Sequence, residues 1–232
     1  MVMASSKIIV GRDATPLFSV LLGPDYAGKS SVISDLSSRG WRCVSYDDAL
    51  VPEECSLIND LRDEFITRAL RGLGDQYSSD FIVTLLQASV VYLRDQILKA
   101  AADQPVIVDS YYYKILAKGM LTGLVNEEMF AWWRSFPRPR QVIYLDVDSE
   151  IAWRRSGNGA QLNRFEYYWD RHDGGRPRPE DFHRFQTDLR SLMLAEVGTV
   201  PLTVLSGRHG VEQLADTVER IARSGDGTRV GG

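Results

Sequence analysis

The stretch Leu21-Leu22-Gly23-Pro24-Asp25-Tyr26-Ala27-Gly28-Lys29-Ser30-Ser31-Val32 decides how the rest of the chain is read. The apolar run before it, Phe18–Leu22, has the length and continuity of a short buried strand. The residues after it, Ser30–Ser38, have the pattern of the first turns of a helix. A strand, a glycine-rich turn and a helix start are the three parts of a phosphate-binding loop.

Gly23 to Ser30 fits G-x-x-x-x-G-K-[ST] at every fixed position. Gly23 and Gly28 let the backbone curl, so that the N–H groups of Tyr26, Ala27, Gly28, Lys29, Ser30 and Ser31 can turn toward phosphate oxygens. The positive end of the following helix adds to that field. Lys29 has the reach to meet the β and γ phosphates as a point charge. The Ser30 hydroxyl can ligate Mg²⁺. Such a loop serves kinases, GTPases, motors and switches alike. No N-K-x-D-like guanine-reading segment follows a strand, and there is no second nucleotide domain. A lone ATP-consuming unit acting on a small molecule is expected.

Outward from the loop, strand-like runs at Phe18–Leu22, Trp41–Tyr46, Pro105–Asp109, Gln141–Asp146 and Pro201–Leu205 alternate with helical patterns. The helices are expected at Gly28–Ser38, Glu53–Gly72, Ser79–Ala102, Tyr112–Val125, Glu127–Arg134, Ser149–Ser156, Pro179–Val197 and Val211–Ser224. Nearly continuous apolar strands belong to a parallel sheet covered on both faces. The expected fold is therefore a P-loop NTPase, a three-layer α/β/α unit with a five-stranded parallel sheet, helices on both faces and a lid. The kinase domain is expected over residues 16–222, between a loosely ordered start (1–15) and a flexible tail (223–232). The segment 157–179, rich in Arg, Gly and aromatics and without an apolar stripe, is expected to be the lid.

The 232 residues suffice for one domain with a full core. A net charge of −4 argues against a general nucleic-acid or membrane surface, so any anion must be held by a local cluster. Cys43 and Cys55 have neither metal-ligand spacing nor a disulfide framework, as in a reducing cytoplasm. No apolar stretch is expected to span a membrane and the start shows no signal-peptide pattern, which leads to the expectation of a cytoplasmic protein.

Four stretches, taken in order, resemble the thymidylate kinase family of nucleoside monophosphate kinases: "GPDYAGKSS", "PVIVDSYYYKILAKG", "QVIYLDVDSEIAWRRSG" and "NRFEYYWDR". The resemblance implies that Asp25 approaches the acceptor sugar and that Arg154 stacks on adenine. It also implies that Arg155 or Arg164 brings lid charge to the phosphates, since Tyr26 stands where one type in the family has a loop arginine. Related kinases commonly dimerise through helix faces, so a homodimer is possible for this chain. The breaks fall on the acceptor side. Ser110 stands where the family has the arginine that holds the acceptor's phosphate, and Lys114, Lys118 and Gly119 replace the next family positions.

The remaining candidates come from the residues themselves. Asp109 ends a strand beside the loop strand, where a carboxylate can hold Mg²⁺ through water or accept a hydroxyl proton. Asp47 and Asp48 follow the second strand at the carboxyl edge, where acceptors bind in such sheets. Tyr111 and Tyr112, with Tyr113, could stack on an acceptor ring. The leading expectation is an ATP- and Mg²⁺-dependent kinase acting on a nucleoside, a modified nucleotide or another hydroxylated small molecule. The alternatives are a true dTMP kinase, with Lys114 or a lid arginine as phosphate clamp, and a nucleotide-binding regulator without transfer.

Overall fold

The computed structural model describes residues 17–47, 50–72, 76–101, 104–169 and 176–224, apart from the side chains at 63 and 71. The expectations for residues 1–15, Asp48, the middle of the lid and the end of the tail lie outside these residues.

Five parallel strands form one sheet in the order β2-β3-β1-β4-β5. They are β1 (Phe18–Leu22), β2 (Arg42–Val44), β3 (Val106–Asp109), β4 (Gln141–Asp146) and β5 (Leu202–Ser206). β1 is central, with Leu21 opposite Asp109 on one side and Ile143 on the other. All five of its residues are buried, so every side chain meets a helix layer. Phe18, Val20 and Leu22 face one layer with Val108, Leu116 and Phe185; Leu21, Ile107 and Ile143 face the other with Ile33, Leu36 and Val218. The chain leaves β1 toward β2 and leaves β3 toward β4. The crevice that this parting opens lies at the carboxyl ends of the strands.

The helices follow from local chemistry. α1 (Lys29–Ser38) begins at Gly28, whose φ of 90° a glycine adopts without strain. A helical run then covers α2 (Leu57–Asp60), a π-helical turn at Leu61–Ile66 and α3 (Thr67–Arg71). α4 (Ser79–Leu98) is capped by the Ser78 side chain, which accepts from the Phe81 N–H at 3.2 Å. α5 (Tyr113–Thr122) ends at Gly123 in the left-handed region. α6 (Glu127–Arg134) and α7 (Ser149–Arg155) are capped by Asn126 and Asp148. α8 (Pro179–Val197) starts on a proline, and α9 (Val211–Ser224) closes the second layer.

Two expectations need correction. The single helix expected over Glu53–Gly72 is a 3₁₀ turn at Glu53–Cys55 followed by the run with the π turn. The extra residue of a π turn shifts the stripe that a uniform 3.6 period would predict, and such turns frequently mark functional sites. α4 has the length and a mean hydropathy, 1.3 over its best window, within reach of a membrane span. Ile82, Val83, Val90, Leu93 and Ile97 are nevertheless buried in the main core, as in the core helix of a folded domain.

Candidate functional site

The loop after β1 folds tightly against the sheet. A side chain at Gly23 would stand 2.7 Å from the carbonyl oxygen of Leu145, so only glycine allows β4 this close. Tyr26 has a φ of 58°, which a non-glycine residue adopts at a cost of about 1–3 kcal/mol. The loop is over-determined enough to hold it there. Ser30 and Ser31 open α1 on the exposed side. The Lys29 ammonium is buried and donates to the carbonyl oxygens of Gly23 (3.1 Å) and Pro24 (2.8 Å).

A cleft of about 470 Å³ opens above the loop. It gathers Asp25, Tyr26, Ala27, Gly28, Lys29, Ser30, Asp47, Asp109, Ser110, Lys114 and Arg155, all picked out in the sequence, together with Tyr46, Arg62 and Glu166. Asp109 accepts from the hydroxyls of Ser45 (3.1 Å) and Ser110 (2.8 Å), which aim its carboxylate into the cleft. Arg155 donates to the Tyr26 carbonyl oxygen at 3.2 Å and reaches the edge of the loop from α7.

Asp25 is the electrostatic centre. Its Oδ1 lies 2.6 Å from the Lys114 ammonium and 2.9 Å from that of Lys118, both on α5. Gln186 on α8 holds its other side, donating to Oδ2 at 3.1 Å and accepting from the Asp25 N–H at 3.1 Å. Burial alone would raise this carboxyl, but Lys114, Lys118 and Lys29 together hold it well below the usual carboxylate range. Burial, with the like charge of Lys114 beside it, pulls the Lys29 ammonium down to about 7. Lys114 moves the other way: burial disfavours its charge, and the Asp25 carboxylate more than restores it. Glu166, in the lid, accepts from the Tyr26 hydroxyl (3.5 Å) and the Asn163 N–H (3.1 Å) and lies 3.8 Å from Lys118. Burial and the nearby Asp25 raise its carboxyl above the ordinary value. Gln186 also donates to the Glu166 carbonyl oxygen at 3.1 Å, so one amide ties the loop, the lid and α8 together.

A second cleft, about 540 Å³, adjoins the first and shares Tyr46 and Arg62 with it. Its walls are largely apolar: Ile66, Leu70, Leu86, Ile115, Leu162 and Phe165, with Ser89, Lys118, Arg164 and Tyr167 among them. The Arg62 guanidinium donates to the Tyr46 carbonyl oxygen at 2.7 Å, at the junction of the two.

Several sequence candidates lie elsewhere. Tyr111 and Tyr112 pack in the apolar core with Tyr113, and the Tyr111 hydroxyl donates to the Pro137 carbonyl oxygen at 3.2 Å. They turn inward because Ser110 and Tyr111 are both left-handed, with φ of 55° and 47°, which carries the chain away from the cleft. Arg154 is exposed and paired with Glu150 at 3.6 Å. Arg164 stacks over Trp169, 4.3 Å from the ring centre, and lines the second cleft rather than the first. Ser31 faces a shallow groove along the outside of α1. Sequence reading missed Arg62, Tyr46 and Gln186. Gln186 had a signal: it occupies a place on the stripe Phe182, Phe185, Leu189, Met193, where a polar residue must find buried partners. The π turn hides any equivalent signal for Arg62.

No protein-family model matches the chain, and no curated protein matches it in sequence. Solved structures do resemble it. Thymidylate kinase from Candida albicans superposes with a TM-score of 0.58 at 18% identity, over 93% of this chain and 94% of that one. Deoxyadenosine kinase from M. mycoides, solved with dCMP and a flexible dCDP bound, gives 0.56 at 12% identity, over 90% and 99% of the two chains. The same enzyme with bound dATP gives 0.52 at 15% identity, over 89% and 100%. Identities this low speak to architecture alone, and the architecture is shared along nearly the whole length: the chain has the thymidylate kinase-like P-loop kinase fold.

Proposed function

We propose that the chain is a small-molecule kinase that uses ATP and Mg²⁺. It transfers the γ-phosphate to a hydroxyl of a nucleoside, a modified nucleotide or another hydroxylated small molecule. One observation carries this reading: a polar cleft over the glycine loop meets a largely apolar cleft at Tyr46 and Arg62. Donor phosphates suit the first and the acceptor body suits the second. The likeness of fold to nucleotide and nucleoside kinases supports it.

The donor set fits Mg²⁺. The Ser30 hydroxyl is a hard oxygen donor, and the Asp109 carboxylate on the same cleft can hold the ion through water. Among the described residues no three His, Cys, Asp or Glu side chains cluster as a metal cage, which suits an ion that arrives with the nucleotide and keeps its waters. Bound there, Mg²⁺ would neutralise charge on the phosphate oxygens.

The chain's own residues do the rest. Backbone N–H groups of the loop and Lys29 orient the triphosphate. The bond from the γ phosphorus to its bridging oxygen breaks, and its electron pair stays on ADP. A new bond forms from the acceptor oxygen, whose proton passes to Asp109. Asp25 is a poor base because three ammonium groups stabilise its charged form, so its role is to position Lys114 and Lys118. A transition state with little bond order to the acceptor asks for charge and orientation more than for a strong base.

A true dTMP kinase is the second reading. It is favoured by Lys118, Arg62 and Arg164 on the acceptor cleft, cations able to face an acceptor phosphate. ADP release with ATP and Mg²⁺ against dTMP, other nucleoside monophosphates, nucleosides and no acceptor decides between them, with Lys29→Ala as control. Turnover with dTMP establishes the second reading. Turnover confined to unphosphorylated acceptors establishes a new substrate, and tight ATP binding with no turnover against any acceptor favours a regulator.

A further inference from the structure

Lys114 occupies the second position of α5, just after β3 ends at Asp109. This brings its ammonium from the β3 side to the floor of the phosphate cleft, where Lys29 arrives from the β1 side. Both side chains are buried, at 8% and 7% exposure, so water screens neither charge well. Asp25 holds Lys114 at 2.6 Å and shares the same oxygen with Lys118. Lys29 leans on two loop carbonyls instead of a carboxylate. Two ammonium groups thus converge on one carboxylate oxygen, which fixes where the Lys114 ammonium stands.

Of the two arginines expected to bring charge to the phosphates, Arg155 lines the loop cleft and Arg164 the adjoining one, while Arg154, expected on adenine, is at the surface. Arg164 faces the acceptor cleft over Trp169, Arg154 is paired with Glu150 at the surface, and Arg155 bonds the loop backbone at the cleft edge. Transfer of a phosphoryl group needs cationic stabilisation from donors already in place.

We propose that Lys114 is a catalytic residue: with Lys29, its ammonium contacts the oxygens of the phosphoryl group in flight. This rests on the kinase reading above. In the step already written, the γ-phosphoryl oxygens gather charge as the bond to ADP loosens. Lys114 donates hydrogen bonds to them while its carbon chain stays anchored on α5. No proton is transferred and Lys114 remains an ammonium throughout. Asp25 fixes where that ammonium stands, and Lys118 covers the rest of the carboxylate.

Calorimetry on the full chain with two probes tests this: ATP with Mg²⁺, and ADP with Mg²⁺ and aluminium fluoride, an anion that imitates the phosphoryl group between donor and acceptor. Lys114→Met is expected to keep the ATP dissociation constant within about threefold. It is expected to weaken the ADP–aluminium fluoride complex about 100-fold, the scale of one lost transition-state donor. Lys114→Arg should restore most of the loss. Should Lys114→Met fail to fold because Asp25 loses a partner, Asp25→Asn with Lys114→Met replaces it, read against Asp25→Asn alone. Equal loss with both probes would make Lys114 a structural anchor, and no loss with either would remove it from the reaction; both outcomes overturn the inference and leave the kinase reading standing. Failure of the unaltered protein to bind either nucleotide overturns the kinase reading, and this inference with it.

Discussion

Asp25 shows how far one side chain's environment can change its task. An aspartate inside a phosphate loop faces anionic ligands, and the sequence alone leaves open whether it acts as base, metal ligand or acceptor contact. Its neighbours decide the matter: Lys114, Lys118 and the two-handed Gln186 surround a carboxylate that is 6% exposed. Removing its charge leaves the buried Lys114 ammonium without its carboxylate, and breaking a buried pair from one side costs about 3–5 kcal/mol. Asp25→Asn is therefore expected to lower the free energy of urea unfolding by about 3 kcal/mol, somewhat less than an alanine because the amide still accepts a hydrogen bond. Adding Lys114→Met should recover part of the loss. A double variant no more stable than Asp25→Asn would mean that Lys114 and Asp25 are not coupled. Ser110 belongs to the same scale. Its identity was legible as a departure from the resembling family, but its left-handed φ of 55° and its bond to Asp109 were not. No local sequence signal requires that conformation of a serine.

At the scale of elements, α5 carries Lys114 and Lys118 and the turn before it sets which residues face the cleft. The two consecutive left-handed residues bury Tyr111, Tyr112 and Tyr113 and leave Lys114 on the cleft over the loop. Tyr111→Phe is expected to cost about 1 kcal/mol in unfolding through the lost bond to Pro137, with turnover unchanged within about twofold. A large fall in turnover with unaltered stability would bring Tyr111 back to the substrate. The strands and most helices were legible because their signals are local: apolar runs, caps and a glycine-rich turn. The expected strand at Trp41–Tyr46 shrinks to Arg42–Val44, and the freed Ser45 and Tyr46 serve the cleft. The loop side of the candidate site was legible for the same local reason, since Asp25 to Ser30 are contiguous. The apolar cleft was not: it is assembled from α3, α4, α5, the π turn and the lid, residues that only the fold brings together. Three tyrosines in a row looked like a stacking platform because sequence order says nothing about which way a left-handed turn will send them.

For the whole molecule, the buried charges couple stability to pH and to ligand. The Lys29 ammonium titrates at about 7 in the folded protein and near the ordinary lysine value, about 10.4, in the unfolded chain. Between these values the unfolded state binds more protons, so stability rises with pH. The destabilisation that Lys29 brings is full below pH 7 and fades above it. Asp25 has the opposite sense: its folded value is depressed, so the stability it gives is present above about pH 4 and is lost as pH falls below that. The half-buried Cys43 thiol, pushed up to about 12 by desolvation, removes stability once the unfolded thiol ionises above about pH 8.5. The window from pH 7 to 8.5 is therefore where Lys29 is read most cleanly. Urea unfolding across it is expected to show stability rising with pH in the unaltered protein and a flatter profile in Lys29→Met, the difference between the two isolating Lys29. Saturating ATP with Mg²⁺ should abolish that rise, because phosphate charge beside Lys29 raises its folded value toward the unfolded one. A slope that persists in Lys29→Met would assign the proton to another group. A slope untouched by nucleotide would mean that the phosphates do not meet Lys29, and the loop would then lose the role its sequence announces.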